Sequence, residues 1–198
     1  MLACGTVAGM SSPFLYFADE RLSPAELSAA RLDGHLVELG EAYIPADAVE
    51  TQSLRAGSLR SLLGDTLAAT HLSAAWIHGA LHEPPARHTV QRAVPRRLHH
   101  VVGRRLLYRD LCVDPADLLR IGGVLVTSAE RTLADLSRIS DEDYAVAARM
   151  MADADPGLAA RTVSWLEAHG ALPHKRSALV VLRALAARKV ARQEDVTR

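Results

Sequence analysis

Histidine, arginine and carboxylate side chains are the residues of this sequence whose spacing bears on chemistry. His71, His78 and His82 stand at i, i+7 and i+11 and would share one helical stripe. His78 and His82 also have the i, i+4 spacing of helical zinc ligands. No HExxH glutamate accompanies them, Gly79 interrupts the stretch, and Pro84-Pro85 end it. A polar or partly buried stripe on a packed helix is therefore expected in place of a metal site. Nucleophilic catalysis needs an activated serine or cysteine, signalled by a strained elbow such as GxSxG, and none is present. Phosphate-cradling loops of the GxxxxGK or GxGxxG kind are missing too, and Gly122-Gly123 reads as a hairpin turn. Asp114 with Asp117, and Asp141 to Asp143, lie at helix or turn starts, where capping and the helix dipole explain carboxylates. The expectation is a protein that is not an enzyme, with no catalytic residue, no metal and no cofactor.

The arginines carry more information. The formal net charge is zero, yet residues 1–85 hold 4 Arg against 10 Asp and Glu, whereas residues 86–110 hold 7 Arg against Asp110 alone. Such asymmetry marks a surface for an anionic partner. The belt comprises Arg87, Arg92, Arg96, Arg97, Arg104, Arg105 and Arg109, with His88, His99 and His100 interleaved. On a strand of period two, Arg92 and Arg96 would project from one face. Nucleic acid, an acidic protein, or the acidic front of this same chain would each suit that surface.

These side chains need elements to hold them. Ser23-Pro24-Ala25-Glu26 is a capping box with proline at the first helical position, and Gly34 stops the helix. His35 to Leu39 and Ala42 to Ile44 read as strands around a Gly40-Glu41 turn. Helix, glycine and hairpin form the second half of a winged helix-turn-helix, and Ser11 to Arg21 would supply its earlier helix as one or two turns, so the unit is abbreviated. A helical pattern runs from Thr51 to Leu63, and an alanine-rich helix capped by Asp65 is expected over Thr66 to Leu81. Strands follow at Thr89–Val94, Leu98–Tyr108, Leu118–Ile121 and Val124–Val126, the last two as a hairpin. Thr127-Ser128-Ala129-Glu130 is a second capping box. Helices at about 141–153, 156–169 and 174–192, with caps at Ser140 and Asp155, close the chain. The fold class is thus α/β (α+β): a tail at 1–11, a winged-helix-like unit at 12–50, and a mixed α/β core with a helical C-terminal cap at 51–198.

An apolar fraction of 49% disfavours disorder, and no run approaches the roughly 18 apolar residues of a membrane span. Cys4 and Cys112 form neither a disulfide framework nor a zinc ribbon. Three residues before Cys4 are too few for a signal peptide, so a cytoplasmic protein is expected, with 1–11 a flexible tail and Met10 an alternative start.

Four stretches together resemble one family: Leu22–Leu27, RLDGHLVELGEAYIP from Arg31 to Pro45, SAAWIHG from Ser73 to Gly79, and GGVLVTSAERTLADL from Gly122 to Leu136. They are similar to the AbiEi-type antitoxins of bacterial toxin-antitoxin systems (type IV), particularly actinobacterial members, over roughly residues 12–140. The resemblance implies an antitoxin paired with an AbiEii-type nucleotidyltransferase toxin. An N-terminal winged helix would bind operator DNA and repress the operon, and the C-terminal domain would counter the toxin. By position, Ser28, Arg31 and His35 become the DNA-reading candidates, and the belt arginines the partner-binding ones. The wing carries Glu38 and Glu41 in place of the basic residues that favour phosphates, which disfavours DNA docking. The alternatives are a DNA-binding repressor that never meets a toxin, and a relic of very-short-patch-repair-like nucleases, whose SAAW and VTSAERTLADL texture is similar.

Overall fold

Serine at position 23 accepts a hydrogen bond from the Glu26 amide at 3.3 Å, and the Glu26 carboxylate accepts one from the Ser23 amide at 2.8 Å. This reciprocal cap starts α1, Pro24–Leu32. The computed structural model describes residues 12–98 and 103–196, with side chains up to residue 187. The expected tail at 1–11, together with His99 and His100, lies outside the described residues. After α1, β1 (Leu36–Leu39) and β2 (Ala42–Pro45) pair antiparallel about Gly40-Glu41.

The helical turns expected before α1 do not form. Tyr16 instead exchanges two backbone hydrogen bonds with Tyr43, at 2.9 and 2.8 Å, and extends the hairpin. The burial period explains why: Leu15 and Phe17 are buried while Phe14 is exposed, an alternation of two that suits a strand. Among the described residues of 12–50, α1 is the single helix.

Next come α2 (Gln52–Ser58) and α3 (Arg60–Leu63), in place of one continuous helix. The expected helix over Thr66 to Leu81 is overturned. Leu67–Ala69 is β3, the central strand, and only His71–Ile77 is helical, as α4. Alanine's helix propensity is a weak preference that tertiary pairing overrides. β3 has a partner on each side, and Ala68 and Ala69 are fully buried there.

The five-stranded sheet has the order β5-β4-β3-β7-β6, with β4 at His88–Arg92, β5 at Leu106–Cys112, β6 at Leu118–Ile121 and β7 at Val124–Thr127. β3 runs antiparallel to β4 and parallel to β7, β4 and β5 are parallel, and β6–β7 is the expected hairpin. Gly122 makes that turn with φ +55°, and a Cβ there would collide with the Ser53 carbonyl of α2.

Helices α5 (Ala129–Ser137), α6 (Glu142–Ala154), α7 (Leu158–Ala168) and α8 (Lys175–Val196) form the C-terminal cap. Their caps lie one or two residues later than the sequence suggests. Ser128 caps α5, Asp141 caps α6, and Gly157 begins α7 with its amide donating to Asp155 at 3.0 Å. Thr127 is released from capping, and its hydroxyl meets Thr132 at 2.8 Å. One core cluster joins the hairpin residues Leu39, Ala42 and Ile44 to α2–α4 and the sheet, running across residue 50. A second joins α4 to α5–α8.

Candidate functional site

The belt arginines occupy the approach to β4, its end, the crossover from β4 to β5, and β5 itself, and they divide by what they touch. Arg92, only 8% exposed, places Nε 2.7 Å from Asp110 and donates through Nη1 to the carbonyls of Val94, Pro95 and Arg96. It thereby folds the crossover back on itself, beginning at the register shift beside Gln91. For that reason Arg92 and Arg96 do not share a strand face: β4 ends at Arg92, and Arg96 lies in a bend. Arg87 donates to the Leu106 carbonyl at 2.8 Å, and Arg97 lies 3.8 Å from Asp110 while staying 80% exposed. Arg109 is half-buried on β5, opposite Gln91. Arg96 and Arg104 are exposed, with no ion pair to a described residue. Asp110 thus serves two belt arginines, a convergence its isolation in the sequence hides.

Arg105 meets an acid from far away in the chain. Its Nε lies 2.8 Å from Glu41 Oε1, at the tip of the β1–β2 hairpin. The same oxygen is 3.8 Å from His88 Nε2. Gly40 seats the tip: its φ is +58°, and a Cβ there would strike Ser58, Leu59 and Trp76. Burial pushes the Glu41 carboxyl up, with Arg105 pulling the other way. Burial also lowers His88 to about 4, aided by the Arg105 charge, so this ring is neutral at pH 7 and adds no charge to the contact.

Behind His88, Ser73 Oγ lies 3.3 Å from Nδ1 and accepts the Thr89 amide at 2.9 Å. Ser73, His88 and Glu41 follow the contact order of an acyl-transfer relay. Ser73 and His88 are fully buried, however, so no substrate carbonyl reaches the hydroxyl. His88 lies between Ser73 and the hairpin tip, an arrangement that nothing in local periodicity announces.

The histidine stripe does not form. His71 opens α4 with φ +51°, at the sharp step from β3 into the helix; His78 is the C-cap, and His82 lies beyond. Burial lowers His71 to about 4, with Asp135 opposing, and its Nδ1 is 2.9 Å from Thr70 Oγ1. Burial lowers His78 as well, while its Nε2 bonds the Thr127 carbonyl at 2.8 Å. Among the described residues, no three His, Cys, Asp or Glu side chains are grouped to hold a metal.

Of the DNA-reading candidates, Ser28 and Arg31 stand on α1 and His35 between α1 and β1. Ser28, Arg31 and His35 are exposed, and Leu27 is the one buried residue of α1. Arg31 is 3.4 Å from Glu38 on β1. The hairpin tip faces the core, so Glu41 contacts Arg105 instead of solvent.

The run from Thr127 to Leu136 builds an ion network. Arg131 bonds Asp135 at 2.9 Å and Asp117 at 2.8 Å, and Trp165 of α7 donates to Asp117 at 3.0 Å. Asp117 and Asp135 are buried, so this run ties α5 to the turn before β6 and to α7. Asp117 therefore does more than begin a turn. The i, i+4 spacing of Arg131 and Asp135 was the visible signal for half of the network.

Among the described residues, no helix is long and apolar enough to cross a membrane. No curated protein matches the chain. A solved structure, the RV2827C protein from Mycobacterium tuberculosis, is similar at 16% identity, with a TM-score of 0.34, over 85% of this chain and 70% of that one. Residues 67–164 match the family model of the AbiEi antitoxin C-terminal domain, a span from β3 into α7 that takes in the whole five-stranded sheet, the belt, and Arg131 with Asp117 and Asp135. AbiEi antitoxins are not an enzyme family. By this domain the chain belongs to the AbiEi antitoxin family.

Proposed function

We propose that the chain is the antitoxin of a cognate AbiEii-type nucleotidyltransferase toxin, acting in the cytoplasm, and that the belt side of its antitoxin domain receives the partner. The observation that carries this reading is the AbiEi domain match across 67–164, which encloses the belt. Within the belt, Arg96 and Arg104 are exposed with no ion pair to a described residue, and Arg97 is held loosely. They are the arginines left to meet an acidic surface. Arg92 acts inward as a support of the crossover.

Co-expression with the product of the adjacent gene tests the proposal. Rescue of growth and co-purification are expected, and the double variant Arg96→Ala/Arg104→Ala should weaken capture while leaving the thermal midpoint unchanged. A folded chain that neither binds that product nor protects cells from it would refute the reading.

Autorepression is the second role. It is supported by the solvent-facing Ser28, Arg31 and His35 on and after α1. Affinity for the promoter should fall steeply with salt, and Arg31→Ala should reduce it further. A gel shift that is absent or insensitive to salt would remove this role without touching the first.

A further inference from the structure

Where α2 meets the helical cap, a cavity of about 260 Å³ opens between Gln52, the C-cap of α4 at His78, and the end of α6. Its apolar wall is Ala80, Met151, Ala154 and Leu158, of which all but Ala154 are buried. Its polar side is made of acceptors. His78 Nε2 lies 2.8 Å from the Thr127 carbonyl, which can only accept, so Nε2 carries the ring proton. Burial lowers His78, so the ring is neutral at pH 7 and Nδ1 is left as a lone pair. Gln52 donates its amide Nε2 to the His78 carbonyl at 3.2 Å, which makes Oε1 the second acceptor beside it. Among the described residues neither Nδ1 nor Oε1 has a hydrogen-bond partner, His78 is half-buried and Gln52 is exposed, and neither acceptor is sealed off. The charged residue of the lining is a carboxylate, Asp155, and Glu130 lies close enough to bear on His78. Arg161, which bonds both acids at 2.6 and 2.8 Å, stands outside the lining.

We propose that this cavity is a binding site for a small organic cation, a guanidinium or amidinium carried on a compact apolar body. Such a cation offers two N–H donors side by side, one for His78 Nδ1 and one for Gln52 Oε1, while its body lies on Met151 and Leu158. An anion would meet lone pairs and Asp155, and a wholly apolar molecule would leave both acceptors without water or a donor. The cavity lies just under the range of about 300–1,000 Å³ that takes drug-sized ligands, which limits the occupant to about ten non-hydrogen atoms. Gln52 stands on α2, whose Leu54 and Ala56 belong to the first core cluster, whereas Met151 and Leu158 belong to the second. An occupant therefore bridges the two clusters and stabilises the folded chain by mass action. No belt arginine takes part, so the site stands or falls independently of toxin capture.

The test titrates benzamidine into the full chain labelled with ¹³C-methyl methionine and reads the Met151 methyl resonance. A saturable shift with a Kd of about 1 mM is expected for a fragment of this size, together with a rise in thermal midpoint. Benzoate, which has the same outline and the opposite charge, should bind at least about tenfold more weakly. Gln52→Ala, at an exposed position, should weaken benzamidine about fivefold by removing one acceptor. Ala154→Leu puts a larger side chain into the lining and should abolish the shift. A Met151 methyl that benzamidine leaves unmoved would overturn the site, as would undiminished binding by a folded Ala154→Leu chain. Equal affinity for benzoate, or for benzamidine in Gln52→Ala, would overturn the recognition of a cation by these acceptors. Should Ala154→Leu fail to fold, benzoate and Gln52→Ala decide the matter.

Discussion

Arg131 shows how one residue of a short motif can hold three elements. Its guanidinium reaches Asp135 one helical turn on and Asp117 across the domain, where the Trp165 indole shares the same carboxylate. Asp117→Ala leaves Arg131 with Asp135 alone and the Trp165 indole without its acceptor, so it should cost about 1–3 kcal/mol, read as a fall in the urea midpoint. His71 and His88 make a second prediction. Both move from 6.5 to about 4 on folding, so above pH 6.5 neither state is protonated and their contribution is fully present. As pH falls from 6.5 towards 4 the unfolded chain takes up protons that the folded chain refuses, and each histidine loses stability on the order of 3 kcal/mol. Glu41, whose carboxyl is pushed up by burial, works in the opposite direction as it protonates. Thermal midpoints should therefore decline across that window, and His71→Gln and His88→Gln should each flatten the slope. An unchanged slope in both would show that these rings are not the groups responsible.

At the scale of elements, the hairpins and the cap of α1 were legible in the sequence because their signals are local. A serine three residues before a glutamate, a glycine in a turn and a proline at a helix start act within one turn of chain. The helix expected at Thr66–Leu81 failed because its alanines satisfy two demands. They favour a helix in isolation, and they are small enough for a fully buried central strand, and pairing with β4 and β7 decides between these. The residues before α1 differ for another reason: Leu15 and Phe17 alternate with Phe14 and Tyr16, and over so short a run a period of two is hard to tell from one packed helical turn. Element packing also yields a prediction at Gly122, where the β6–β7 turn touches the α2 backbone. Gly122→Ala forces an overpacked contact at a positive φ and should destabilise by about 1–3 kcal/mol, measured by denaturant unfolding. Gly123→Ala, where a Cβ meets nothing within 4 Å, isolates the cost of the positive φ and should be the milder of the two.

For the whole molecule, the uneven charge distribution has a structural explanation in which the acidic front partly answers the basic belt. Glu41 from the front contacts Arg105, and Asp110 within the belt serves Arg92 and Arg97. Capture of the toxin through the belt should accordingly depend on salt less steeply than seven free arginines would imply, because the pairs on Arg92 and Arg105 are already made. A titration of capture against salt in wild type and Arg96→Ala/Arg104→Ala measures this, and the slope should fall in the double variant. The candidate sites were readable to different depths. That the arginines cluster is visible in the sequence, as is the exposed face of α1, whereas which arginines point outward is not.

The sequence by itself determined the antitoxin family, the α1 cap, the β1–β2 and β6–β7 hairpins and the grouping of arginines, because each is encoded in neighbouring residues. Tertiary structure alone decided that β3 lies at the centre of the sheet, that Ser73, His88 and Glu41 line up, and that Glu41 rests on Arg105. Those outcomes depend on which distant groups share a buried space. Desolvation there sets whether a charge is paired, neutral or left facing water.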